Sequence, residues 1–128
     1  MTDILTATPG LPQSLPDTLS SQRPWGQFEQ YTFNEQTTLK IISVDPGARL
    51  SKQRHAHRAE RWLVLDGPVD VEINELSWTA AHGEVVWVPL GAVHRMGNSG
   101  TTRVRILEIA YGVFDEGDIE RLQDDYQR

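Results

Sequence analysis

The sequence predicts an all-β domain closed into a sandwich or barrel, on three observations. Short β-rich runs recur between residues 23 and 111. Clusters of Asp, Gly and Pro split them at hairpin intervals. One run, Val69, Val71 and Ile73, alternates apolar with polar side chains, the period of a half-buried strand.

Residues 1–21 read as a flexible tail, because Thr, Ser, Pro and Gly dominate them without periodicity. The domain is expected over residues 22–128, opening at Arg23-Pro24-Trp25-Gly26. Residues 39–44 form a β-rich run that stops at Asp45-Pro46-Gly47, a strong turn signal. Residues 50–55 and 61–65 are the next candidate strands, the second closed by Asp66-Gly67-Pro68. Residues 85–88 end at Pro89, and residues 104–111 make a last long strand. Residues 115–125 read as a short C-terminal helix with Ile119 and Leu122 on its apolar side.

Composition limits the partners. The 128 residues carry a net charge of −6, too acidic for contacts to nucleic-acid phosphates or to an anionic membrane. There are no cysteines, so the fold is not disulfide-stapled and a metal site must use nitrogen and oxygen donors. No apolar run reaches the roughly 18 residues needed to span a bilayer, and the N-terminal residues lack the pattern of a signal peptide. A cytoplasmic location is the expectation.

Four histidines occur, and spacing separates two of them from the rest. Gln53 and His55 stand two apart on a candidate strand, so both side chains point to one face. A turn through Arg58-Ala59 returns Glu60 beside them. His94 lies in a distant hairpin turned by Pro89-Leu90-Gly91. If the two hairpins face each other, Gln53, His55, Glu60 and His94 surround one point. Two imidazoles, a carboxylate and an amide oxygen suit one divalent ion, with Zn, Mn or Co foremost and Ni or Fe(II) permitted, and leave positions for water or substrate.

The spacing resembles the two motifs of the cupins. Gly47 is followed after five residues by Gln53, then His55, Glu60 and Gly67. Gly83, Pro89, Gly91, His94 and Asn98 reproduce the second motif. Gln53 occupies the first histidine slot. A narrower resemblance covers almost everything after residue 22, and it is to the C-terminal cupin domain of type II mannose-6-phosphate isomerases. It rests on Arg23-Pro24-Trp25-Gly26, on residues 46–51, on His57-Arg58-Ala59-Glu60 with Trp62, and on Leu107-Glu108. It extends through Asp118-Ile119 to Arg121, Asp124, Tyr126 and Arg128. That family also places Gln in the first slot. Glu108-Ile109-Ala110 departs from its usual Glu-Val-Gln, which puts the sugar pocket in question.

The resemblance implies an enzyme interconverting mannose 6-phosphate and fructose 6-phosphate, with Arg58 and Glu108 as catalytic residues. Arg49, Lys40 and Trp62 are then substrate-binding, the ligand is a small sugar phosphate, and the protein is a homodimer. No Gly-rich phosphate loop is present, so guanylyl transfer is not expected from this chain. Two other readings stand beside this one: a module that binds metal and sugar phosphate without turnover, and a different small-molecule cupin enzyme such as an Fe(II) dioxygenase.

Overall fold

A computed structural model describes residues 14–128. Part of the tail expected over residues 1–21 therefore lies outside the described residues. Eleven strands occur among those described, in chain order: β1 (Leu19–Arg23), β2 (Gly26–Gln30), β3 (Thr37–Val44), β4 (Lys52–Arg54), β5 (Arg58–Asp66), β6 (Val69–Ile73), β7 (Leu76–Ala80), β8 (Val85–Val88), β9 (His94–Gly97), β10 (Val104–Gly112) and β11 (Glu120–Gln123). The hairpin β1–β2 stands apart from two larger antiparallel sheets, ordered β3-β10-β5-β8 and β11-β4-β9-β6-β7.

Alternation builds the core between these sheets. On β5 the even residues Glu60, Trp62 and Val64 are buried, and on β10 so are Val104, Ile106, Glu108 and Ala110. From the opposite sheet Val69, Val71, Ile73 and Met96 meet them in one apolar cluster. The turns at the rim rest on glycine where the backbone demands it. Gly47 and Gly91 adopt φ of 79° and 78°, a region in which a side chain is strained. Asn98, the last residue of the second motif, stitches the far end of the barrel. Its Nδ2 donates to Val44 O at 3.0 Å and to Thr102 O at 2.8 Å.

The odd residues of β5 and β10 face outward, and part of that face is also buried. Ala59, Ile109 and Tyr111 form a second cluster under Tyr31. Arg61 is fully buried there and donates to the backbone carbonyls of Tyr31 and Pro16.

The expected C-terminal helix is corrected. Residues 115–119 make turns, with Gly117 N bonded to Asp115 Oδ1 at 2.9 Å and Asp118 N to Asp115 O at 3.0 Å. Glu120–Gln123 then pairs antiparallel with β4. Two forces outweigh the weak helical pattern. The edge of β4 offers unpaired backbone groups that a strand satisfies directly. Gly117 and the four aspartates at 115, 118, 124 and 125 are also poor helix formers. Leu122, expected on the buried side of a helix, is exposed. No helix among the described residues is long and apolar enough to cross a membrane.

Candidate metal centre

Strand register decides which side chains meet. Across the first sheet, Lys40, Glu108 and Trp62 are direct partners in one transverse row, and Glu60 lies one row along, opposite Ala110. Across the second sheet, Arg121 pairs with Gln53, and Gln53 with His94. Directly opposed residues share a face. Both rows line the same cavity, which also takes in His55 and Arg58.

His55, Glu60 and His94 each offer a donor atom, and these atoms lie within 4.8 Å of one another. All three residues are buried. His55 Nε2 is 3.3 Å from Glu60 Oε2, and His94 Nε2 is 3.6 Å from Glu60 Oε1. The far side of each ring is fixed. His55 Nδ1 meets the carbonyl of Asp118 at 2.7 Å, and His94 Nδ1 meets the carbonyl of Ala92 at 2.9 Å. A carbonyl only accepts, so each Nδ1 carries a proton and each Nε2 faces the cluster. There Nε2 presents either a lone pair to a cation or a second proton to Glu60.

The charge states suit a cation. Burial alone would raise the Glu60 carboxyl. The hydrogen bond from His55, the neighbouring imidazoles and the Trp62 indole instead hold it down at about 2. Trp62 Nε1 donates to Glu60 Oε1 at 3.0 Å, so this tryptophan positions the carboxylate as well as filling the core. Burial lowers the pKa of His94, against the pull of Glu60. An ionised carboxylate beside a neutral imidazole is the state that metal ligation needs. Burial, then the charge of Glu60, pushes Glu108 up to about 8, so this carboxyl carries a proton at neutral pH.

The other expected site residues divide. Gln53 lines the cavity; its Nε2 donates to Ser51 O at 3.3 Å and Ser51 Oγ at 3.2 Å, which leaves the amide oxygen for the site. Arg58 packs directly on the cluster: Nε donates to Glu60 Oε2 at 3.3 Å, Nη1 to Asp115 O at 3.0 Å, and Nη2 lies 3.3 Å from His55 Nε2. Its guanidinium lies over the Phe114 ring. Lys40 stands at the mouth, paired to Glu116 at 2.7 Å. Arg49 lies apart. It forks onto Asp125 at 2.7 and 3.0 Å and lines other depressions, so the structure does not bring it to the cluster.

Two contributors carry the family resemblance in the sequence but received no site role from it. Asp118 holds His55 through its carbonyl, and Arg121 joins the row of Gln53 and His94. Both sit in the segment read as a helix. Only the pairing of β11 with β4, which no local pattern encodes, places them here.

Two antiparallel sheets closed around a buried His–Glu–His cluster define a cupin. Solved structures agree on the fold. The chain superposes on a cupin 2 conserved barrel domain protein from Rhodopseudomonas palustris with a TM-score of 0.59 at 20% identity, over 65% of this chain and 57% of that one. It superposes on the capsular polysaccharide assembling protein CapF from Staphylococcus aureus with a TM-score of 0.63 at 19% identity, over 84% of this chain and 33% of that one. Residues 16–124 match the family described as mannose-6-phosphate isomerase C-terminal, and the chain belongs to that family.

Among curated relatives it is 38% identical to the alginate biosynthesis protein AlgA of Pseudomonas aeruginosa. It is 36% identical to the xanthan biosynthesis protein XanB of Xanthomonas campestris pv. campestris. It is 37% identical to the mannose-1-phosphate guanylyltransferase ManC of Salmonella typhimurium. Each match covers 83% of this chain and only 22–23% of the relative. The chain thus spans about a fifth of the length of these relatives.

These proportions correct the expectation of a self-contained enzyme interconverting mannose 6-phosphate and fructose 6-phosphate. The relatives are much longer proteins, named for polysaccharide biosynthesis and guanylyl transfer. Their names do not assign isomerisation to the fifth that this chain matches.

Proposed function

We propose that this chain is a divalent-metal-binding cupin module that holds a small phosphorylated sugar in nucleotide-sugar biosynthesis. One observation carries the reading: three donor atoms converge within 4.8 Å, and backbone carbonyls fix both imidazoles with Nε2 inward. Two nitrogens and a carboxylate oxygen, with the Gln53 amide beside them, fit Zn, Mn or Co. When bound, the ion supplies Lewis-acid coordination for sugar oxygens.

The chain's own residues do the rest. Protonated Glu108 donates to a ligand oxygen. Arg58 neutralises charge beside Glu60. Trp62 closes the floor of the cavity and keeps water from the carboxylate. The biosynthetic relatives support the sugar-phosphate class and, with it, a cytoplasmic setting.

A homodimer belongs to the same proposal. Ile41, Leu107, Leu63 and Val85 are direct partners in one apolar row across the outer face of the first sheet. Ile41 is more than half exposed. Light scattering tests this against the 14.5 kDa chain mass: twice that mass supports the dimer, and the single mass removes it.

Isothermal titration tests the site. Protein stripped with chelator is expected to take one Mn²⁺, Zn²⁺ or Co²⁺ per chain, and to bind mannose 6-phosphate only once loaded. A chain that takes no ion, or that binds the sugar phosphate equally with and without one, ends the proposal.

A further inference from the structure

We infer that Arg121 is the anion clamp of this cavity, the residue that selects a phosphorylated ligand over the free sugar. The inference rests on the metal-module reading and names the residue that would give that site its preference for phosphate.

Register supplies the first argument. Arg121 pairs with Gln53 and Gln53 with His94, so all three side chains leave the sheet on one face. Arg121 stands two strands from His94, roughly 10 Å at ordinary strand spacing. A ligand chelated through its oxygens at the His–Glu–His cluster would extend its far end towards that position.

The second argument comes from what the other cations of the cavity are doing. Lys40 is held by Glu116 at 2.7 Å. Arg58 is held by Glu60 and by the carbonyl of Asp115. Arg95 donates to the carbonyls of Leu50 and Gln123 and to Gln123 Oε1. Arg128 forks onto Asp124 at 3.0 and 3.3 Å. Arg121 lines the same cavity from an exposed strand, and among the described residues its side chain has no hydrogen bond and no ion pair. Its full set of guanidinium donors is uncommitted.

A planar fork of this kind matches a phosphate bidentately, which a point-charge ammonium does not. The anchored cations have already spent their geometry on the protein. Arg121 alone among those named is aimed at the cavity and unspent. Had residues 115–125 formed a helix, this register with Gln53 and His94 would not exist.

The test uses titration calorimetry on wild type and Arg121→Gln, with Arg121→Lys as the charge-preserving control. Four ligands are compared: Mn²⁺, mannose 6-phosphate and unphosphorylated mannose on the Mn²⁺-loaded chain, and inorganic phosphate on the metal-free chain. Mn²⁺ affinity is expected to be the same in all three proteins. Mannose 6-phosphate affinity is expected to fall on the order of ten- to a hundred-fold in Arg121→Gln, the range for losing a charge-assisted bidentate contact. Arg121→Lys should recover part of it. Unphosphorylated mannose should bind wild type and variant alike, and inorganic phosphate should bind wild type more tightly than Arg121→Gln.

If wild type binds mannose 6-phosphate and phosphate but Arg121→Gln matches it for both, the clamp is overturned and the metal module stands. If the chain takes no Mn²⁺, the metal module falls. The inorganic phosphate comparison then decides the clamp, with equal or absent binding in wild type and variant overturning it.

Discussion

Asp118 grips the backbone around His55 and the ring itself. Its carbonyl takes the Nδ1 contact at 2.7 Å, while its carboxylate accepts from Ala56 N at 2.8 Å and His57 N at 2.9 Å. Those two amide bonds hold the carboxyl below the usual aspartate range, although its burial pushes the other way. One residue thus fixes both the orientation of a ring of the His–Glu–His cluster and the turn that carries it. Asp118→Ala keeps the carbonyl but frees the loop. Metal affinity is expected to fall about 10- to 100-fold, as with other partners that orient a ligand. Titration with Zn²⁺ checks it; an unchanged affinity would mean that the loop is held by other contacts.

Ligand removal should act more steeply. His94→Ala and Glu60→Gln are each expected to abolish stoichiometric binding, and Gln53→Ala to weaken it by a smaller factor. Metal must displace protons from this cluster, so affinity should decline in acid. Because burial lowers His94 below its ordinary 6.5, its share of that loss begins under pH 6.5. Competition titrations between pH 5 and 8 read this out. A profile that stays flat down to the onset of acid unfolding would exclude imidazole ligation.

Most of the barrel was legible in the sequence, because its signals are local. The turn at Asp45-Pro46-Gly47 and the alternation of Val69, Val71 and Ile73 each report on a few neighbouring residues. The convergence of His55, Glu60 and His94 was legible through spacing, since strand parity and hairpin return are geometric. The C-terminal segment was not. Ile119 and Leu122 fit a helical stripe, and the strand that formed answers to the vacant edge of β4, some 65 residues away in the chain. Arg49 stands outside the cavity for a related reason: its partner Asp125 belongs to that same C-terminal segment.

The Glu108 carboxyl should leave a mark on stability against pH. In the metal-free chain its pKa rises from 4.5 to about 8, first through burial and then through the charge of Glu60. The folded state therefore holds a proton that the unfolded state releases. This contribution is fully present below about pH 4.5 and is lost as pH rises through 8, with a slope of up to about 1.4 kcal/mol per pH unit. Glu60, held at about 2, acts in the opposite sense and at lower pH: its contribution is present above 4.5 and lost as pH falls through 2. His94, lowered from 6.5, makes stability rise with pH below that value. Urea unfolding of wild type against Glu108→Gln isolates the first term by difference. The difference should change with pH between 4.5 and 8; a constant offset would place Glu108 in a solvated, ordinary environment.

On the outer face of the first sheet, Tyr111 carries a buried hydroxyl. The residue is fully buried, its ring meets Trp87 edge-on with centroids 6.0 Å apart, and its OH has no partner among the described residues. Burial raises its pKa accordingly. Beside it, Arg61 spends two guanidinium nitrogens on the carbonyls of Tyr31 and Pro16, and its Nε has no partner among the described residues. A buried hydroxyl without a partner costs its desolvation and returns nothing, typically about 1–3 kcal/mol. Tyr111→Phe retains the ring and its packing while removing that cost. Thermal and urea unfolding should therefore place the variant level with wild type or up to about 1–2 kcal/mol more stable. The same logic separates it from Arg61→Ala, which strips a buried side chain from two carbonyl acceptors and should destabilise the fold. A Tyr111→Phe variant less stable by more than about 1 kcal/mol would show that the hydroxyl makes a hydrogen bond in solution, with ordered water as the nearest source.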